Sequence, residues 1–321
     1  MSNPTLKIKV LPRFPSSVAA TSPVTLDTTG GNYTIGLDVT ALEQTLDGRY
    51  AQTSGAREVL TASRTYYVRA DGSDSNTGLA DSAGGAFLTI QKAINIVTGL
   101  DINTRNVTIQ VRAGTFTGGV SVTGPWLGSG TVTLTGDTTT PSNVVISTTS
   151  ANCVSVSNGG YLVVQGFKLT AATSGFLLVT SNFGRIDIGN KMEFGAYASG
   201  GIANTSGGII NNFATAVTIS GGGSGVFLAN DTNAIFSNQV VTTWTVSGNI
   251  TVTTFATASN AGYLNANSMT FSIGAFTVTG TRFTASNGGR INTSGGGANF
   301  FPGTVAGSGT NFGASPWGLY L

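Results

Sequence analysis

A glycine returns at nearly constant spacing through the second half of the chain: Gly160, Gly184, Gly208, then Ala234 in the same place, then Gly262 and Gly289. The intervals are 24, 24, 26, 28 and 27 residues. Two residues after each stands a large apolar side chain: Leu162, Ile186, Ile210, Phe236, Leu264 and Ile291. Six residues before each stands a second, mostly apolar series: Val154, Leu178, Ile202, Leu228, Ala256 and Phe283. A fixed period of this size marks a solenoid, and about 24 residues are too few for a repeat built from two helices. Within each block, as in Tyr161-Leu162-Val163-Val164 and Arg290-Ile291-Asn292-Thr293, the second position is apolar while the first and third vary. That alternation describes a strand with one buried and one open face. Strands that repeat in one direction, once per coil, stack in parallel, so the pattern predicts an all-β chain folded as a parallel β-helix. Six or seven coils between residues 130 and 310 would span roughly 30 Å at the strand spacing.

Composition agrees. Of 321 residues 46 are Gly, 8 are Pro and 9% are charged, while 40% are hydrophobic. That apolar content, arranged in columns, argues against a disordered Gly/Ser/Thr-rich chain. The net charge is +2 and no Lys or Arg occurs from 195 to 281. A basic stripe, the footprint of a nucleic-acid binder, is missing, so no nucleic-acid partner is expected. Cys153 is the single cysteine, which excludes an internal disulfide and suits a buried packing role. Met1–Val10 lacks the apolar core of a signal peptide, and no run of 18 apolar residues suggests a membrane span.

The texture changes along the chain and suggests four regions. Residues 1–62 carry a basic, proline-punctuated arm that includes Arg13 and Phe14. A hairpin is expected from Val24–Asp27 and Asn32–Leu37 around Gly30-Gly31, and a short helix from Asp38 to Leu46. So short a helix needs a partner. Residues 63–115 open the solenoid: a strand at Tyr66–Arg69, a turn-rich loop at Asp71–Gly78, a helix at Phe87–Val97 and a strand at Asn106–Val111. The helix carries Phe87, Ile90, Ala93, Ile94 and Val97 on one face and is suited to plug the open end of the core. Residues 116–300 form the β-helix proper, and 301–321 an aromatic C-terminal cap or tip.

Two segments carry a family resemblance. Tyr67-Val68-Arg69-Ala70-Asp71-Gly72-Ser73-Asp74-Ser75-Asn76-Thr77-Gly78, followed by Phe87-Leu88-Thr89-Ile90-Gln91-Lys92-Ala93-Ile94, resembles the N-terminal opening of pectin-lyase-like right-handed β-helices. That pattern is common in bacteriophage tail spikes and tail fibres. Leu46-Asp47-Gly48-Arg49-Tyr50-Ala51-Gln52 is similar to a short Leu-x-x-Arg-Tyr element near the stalks of phage tail-fibre proteins. The resemblance implies a right-handed parallel β-helix with an N-terminal capping helix and a small attachment region. It further implies a homotrimeric virion protein, made without a signal peptide and docked through its N-terminal segment on other tail or baseplate proteins. Arg13, Phe14, Leu42, Leu46 and Tyr50 are the attachment candidates. Host-surface polysaccharide or protein would be the outward partner. A decoration protein elsewhere on the particle, or a bacterial surface adhesin, is a rival reading, the latter disfavoured by the missing signal peptide.

An enzymatic spike that degrades polysaccharide is the other rival. Glycoside hydrolysis needs two carboxyl groups roughly 5–10 Å apart. From 115 onward only Asp137, Asp187, Glu193 and Asp231 are available, and Asp187, Glu193 and Asp231 are the candidates. Arg185 and Lys191 stand near the first two, so a surface ion-pair cluster explains the group as well as a lyase base would. The chain has no His, which removes His-based acid–base chemistry and the commonest metal ligand. The Asp71–Gly78 loop lacks the regular acids and the closing Glu of a calcium loop and reads better as a hydrogen-bonded turn. No metal or cofactor is expected. The recurring glycines lack the lysine of a phosphate loop, and a positive φ between strands is reason enough for them. Tyr161, Tyr263, Trp244, Trp317 and Tyr320 are candidates for receptor contact through their rings, with burial in an end cap or between copies as the plainer role for the last two.

Overall fold

The computed structural model describes residues 57–232, 234–309 and 318–321, and the strand backbones Leu6–Lys7, Val24–Asp27 and Thr34–Leu37. It divides into two units, 1–58 and 59–321. In the first, Val24–Asp27 pairs antiparallel with Thr34–Leu37, with Val24 opposite Leu37 and Asp27 opposite Thr34. This is the register expected of a hairpin around Gly30-Gly31. Leu6–Lys7 adds a third strand against Thr34–Leu37. The helix expected over 38–46 lies outside the described residues.

The second unit is a right-handed parallel β-solenoid of about eight turns, with very little helix. Seven coils each contribute one strand to each of three sheets, and three further strands extend the first sheet at its ends. The first sheet has ten strands, from Arg64–Val68 through Tyr161–Gln165, Arg185–Ile188, Ile209–Asn212, Ile235–Asn238, Tyr263–Asn265 and Arg290–Asn292 to Leu319–Tyr320. The second has seven, from Gly114–Phe116 through Lys168–Ala171, Met192–Tyr197 and Thr242–Val246 to Met269–Ser272. The third also has seven, from Val120–Val122 through Val154–Val156, Phe176–Thr180, Gly200–Asn204, Phe227–Asn230 and Ile250–Ser259 to Val278–Ala285.

The register follows the repeat. Leu162, Ile186, Ile210, Phe236, Leu264 and Ile291 are successive partners in the first sheet. All are at most 1% exposed. The second apolar series departs from expectation in one coil. Ile202 pairs with Phe227, not Leu228, and Phe227 pairs with Ala256. Phe227 lies seven residues before Ala234, where the other coils have six, so the corner of this coil holds one extra residue. A shift of one residue exchanges the faces of a strand. Phe227 therefore fills the core, and Leu228 lies outside, where its Cδ2 would stand 2.9 Å from a Cβ at Gly225.

The recurring glycine also has a different reason from the one expected. At Gly160, Gly184, Gly208, Gly262 and Gly289 φ is not in the left-handed region. At Gly184, Gly208, Gly262 and Gly289 the preceding coil leaves no room for a side chain. A Cβ on Gly208 would sit 2.6 Å from the carbonyl carbon and oxygen of Thr180, and one on Gly184 would overlap the Val156 carbonyl. Positive φ belongs to the two residues before the glycine, as at Asn158 (52°) and Gly159 (74°), or Ser206 (46°) and Gly207 (76°). A bond from Gly160 N–H to the Ser157 carbonyl closes the turn. Two successive left-handed residues make a type I′ turn, for which Asn-Gly is the favoured pair.

Both ends of the core are covered. At the N-terminal end the helix spans Ile90–Thr98, three residues later than the sequence suggests, because Thr89 is its cap and accepts from Lys92 N–H. Ile90, Ala93, Ile94 and Val97 are buried. Gln91 closes the free edge of the third sheet. Its Oε1 accepts from Ser121 N–H (2.7 Å), and its Nε2 donates to the Ser121 carbonyl (3.1 Å), as a neighbouring strand would. The Asp71–Gly78 loop is the expected hydrogen-bonded turn. Asp74 accepts from Leu88 N–H, Thr89 N–H and the Thr89 hydroxyl, while Asp71 pairs with Arg69. At the other end Phe301 is fully buried and packs with Phe255, Phe271 and Phe300.

Candidate functional site

The outward surface of the first sheet brings most of the candidate residues together. In Arg185–Ile188 the side chains of Ile186 and Ile188 enter the core, so Arg185 and Asp187 point outward. Pairing places Tyr161 opposite Arg185 and Asn211 opposite Asp187. Asp187 accepts four bonds: Arg185 Nε (2.8 Å) and Nη2 (2.6 Å), the Tyr161 hydroxyl (2.9 Å) and Asn211 Nδ2 (3.0 Å). The Arg185 guanidinium also lies 4.9 Å from the Tyr161 ring centre. Asp187 is left 6% exposed. Burial, followed by the bond to Asp187, pushes the Tyr161 phenol up to about 12. Arg185 is raised by its own bonds to Asp187.

Glu193 belongs to the second sheet and is separated from Asp187 by the corner Gly189–Lys191. Lys168 Nζ (2.7 Å) and the Ser220 hydroxyl (2.6 Å) both meet its Oε1. Asp231 lies exposed in a corner with φ 92°, two coils beyond Asp187, which is about 10 Å along the axis at the strand spacing. Asp187 and Glu193 therefore each sit in a separate network of cations, amides and hydroxyls, on different faces. Among the described residues no group of three or more metal-ligating side chains comes together.

The aromatic candidates divide. Tyr161 and Tyr263 are half-buried on the outer face, and Arg290 lies over Tyr263 at 5.7 Å. Trp244 must be withdrawn from the receptor candidates. It points into the core, is 0% exposed, stacks on Phe194 (6.0 Å) and meets Phe227 edge-on (4.8 Å). Its position in Thr242-Thr243-Trp244-Thr245-Val246 has the parity of the buried residues, a signal readable only once the strand is registered against Val217 of the preceding coil. Tyr320 stacks on Phe283 at 3.7 Å and donates its hydroxyl to the Gly297 carbonyl. It thus belongs to the last coil as an end-sealing residue. Trp317, and the attachment candidates Arg13, Phe14, Leu42, Leu46 and Tyr50, lie outside the described residues. Cys153 is buried and its thiol, pushed up by burial, donates to the Thr170 carbonyl (3.1 Å), in keeping with packing.

Sequence reasoning missed Phe183. It occupies the corner between the third and first sheets, is 74% exposed and has φ 61°. The signal lay in the turn alignment, where Phe183 stands in the place of Gly159, Gly207 and Gly288. Charge is also unevenly distributed: the third-sheet strands contain no charged residue before Arg282. Comparison with protein-family models, with curated proteins and with solved structures returns no match for this chain.

Proposed function

We propose that the chain is a structural fibre or spike protein of a phage tail, a rigid solenoid that spaces and presents an adhesive surface. The observation that carries this reading is the use of the outer polar groups. Asp187 and Glu193 are consumed by bonds from neighbouring coils and strands, which stiffens a rod and leaves little for chemistry. The opening at Tyr67–Gly78 and the capping helix supply the family likeness. On this reading residues 1–62 attach to other tail or baseplate proteins and start a homotrimer. The third sheet, whose strands carry no charge before Arg282, suits packing around a common axis, because identical residues meet at the axis and identical charges repel there. Host-surface polysaccharide or protein is the outward partner, and the virion is the location.

Sedimentation equilibrium of the full chain, beside a chain shortened to residues 63–321, tests this. A trimer that loses its association on shortening supports the reading. A stable monomer in both forms removes it and moves attention to polysaccharide cleavage by Asp187, Glu193 or Asp231.

A further inference from the structure

The corner between the third and first sheets is built five times to one plan, with two left-handed residues in each: Asn158-Gly159, Asn182-Phe183, Ser206-Gly207, Asn260-Ala261 and Asn287-Gly288. The second place favours glycine, which holds it at three corners, while Ala261 holds it at a fourth, and a bulky side chain there is a genuine outlier. Phe183 is that outlier, and it is also the most exposed of the large apolar side chains among the described residues. Both features work against stability, and a bulky, open side chain kept in a strained left-handed turn position points to a use.

The setting indicates which use. The ring rests against the next coil, where a Cβ on Gly207 would fall 2.8 Å from its Cε1, and the rest of the ring is open. Around it the corner offers amides, not apolar surface. Asn182 Nδ2 donates to Asn158 Oδ1 (3.3 Å), a long bond between exposed groups, and Ser206 stands at the equivalent place of the next coil. A protein partner would need a contiguous apolar centre around such an anchor. A single open ring bordered by amides and hydroxyls suits a pyranose, whose C–H face covers the ring while its hydroxyls exchange bonds with the amides.

We propose that the Phe183 corner is a saccharide-binding platform, with Asn182 and Asn158 as the groups that take the hydroxyls. This rests on the reading of the solenoid as an adhesive surface.

The test is saturation-transfer NMR on the full chain with chitotetraose, maltotetraose and a β-galactan tetrasaccharide as probes. At least one should receive saturation at its ring protons. Phe183→Leu, which keeps an apolar side chain but no aromatic face, and Phe183→Gly should each bind that probe at least about tenfold more weakly. Phe183→Gly should at the same time melt no lower than the parent chain, because it relieves the turn. No transfer to any of the three probes in the parent chain, unchanged binding by Phe183→Gly, or a lower melting temperature of Phe183→Gly would each overturn the proposal. The two readings fail separately. A trimer that binds none of the probes sinks only the platform. A monomer whose saccharide binding disappears with Phe183 sinks only the fibre.

Discussion

The two kinds of glycine at the corners make opposite demands, and substitution separates them. Gly159 has φ 74° and no atom within 4 Å of where a Cβ would stand. Gly208 has an ordinary φ, but its Cβ would lie 2.6 Å from the backbone carbonyl of Thr180 and 2.5 Å from the Thr180 hydroxyl. Gly159→Ala therefore incurs only the left-handed penalty, about 1 kcal/mol. Gly159→Asn should cost less still, since Asn tolerates that region and already precedes it in the turn. At Gly208 the obstacle is backbone that cannot rotate away. Overpacking of this kind costs about 1–3 kcal/mol, offset by roughly 0.5–1 kcal/mol from the stiffer unfolded chain. The expected net loss for Gly208→Ala is about 1–2 kcal/mol, and Gly208→Asn should be worse, reversing the order seen at Gly159. Urea denaturation followed by circular dichroism reads both pairs. If Asn is better tolerated than Ala at position 208 as well, conformation and not coil contact sets the glycine, and the reasoning is wrong.

Other expectations follow from single contacts. Gln91→Ala removes the side chain that imitates a strand at the edge of the third sheet. The Ser121 amide should exchange hydrogen faster while amides deep in the sheets stay protected, at a cost of about 1 kcal/mol. Trp244 has a buried ring N–H without a partner. Trp244→Phe should thus stay within about 1–2 kcal/mol of the parent, because the lost volume is offset by removal of an orphaned donor, whereas Trp244→Ala should lose about 3–5 kcal/mol in thermal or urea unfolding. Tyr161 should ionise near pH 12 in an ultraviolet titration and at a lower pH in Asp187→Asn, while staying above the ordinary range because burial, the larger cause, remains. Its folded value lies above the unfolded value of 10.0, so its stabilising contribution is complete below pH 10 and is lost as pH rises through about 12.

The period of the repeat made most of the fold legible. Spacing of the first apolar series alone is enough to register six consecutive strands of the first sheet, because inward positions recur at the same offset from a corner that cannot change length without cost. Legibility failed where a corner did change length. The extra residue before Ala234 moved Phe227 into the core and Leu228 out of it. The role of the glycines was also misjudged. A turn between strands suggests positive φ, but a coil also presses against the coil before it, and that contact has no local trace in sequence. Trp244 and Phe183 show the same limit from two sides. An aromatic residue in a hydroxyl-rich strand looks solvent-facing until its parity is fixed by pairing, and a phenylalanine beside a glycine looks like core until its turn is aligned with the others. The Asp187 network was half visible. Arg185 and Asp187 are close in sequence, while Tyr161 and Asn211 join them only through stacking of coils.

The most direct test of a fibre built from this solenoid is electron cryomicroscopy of the full chain in solution. Class averages with three solenoids side by side about a common axis, their third sheets turned toward one another, are the expected result. Single, separate solenoids at concentrations well above micromolar would contradict it.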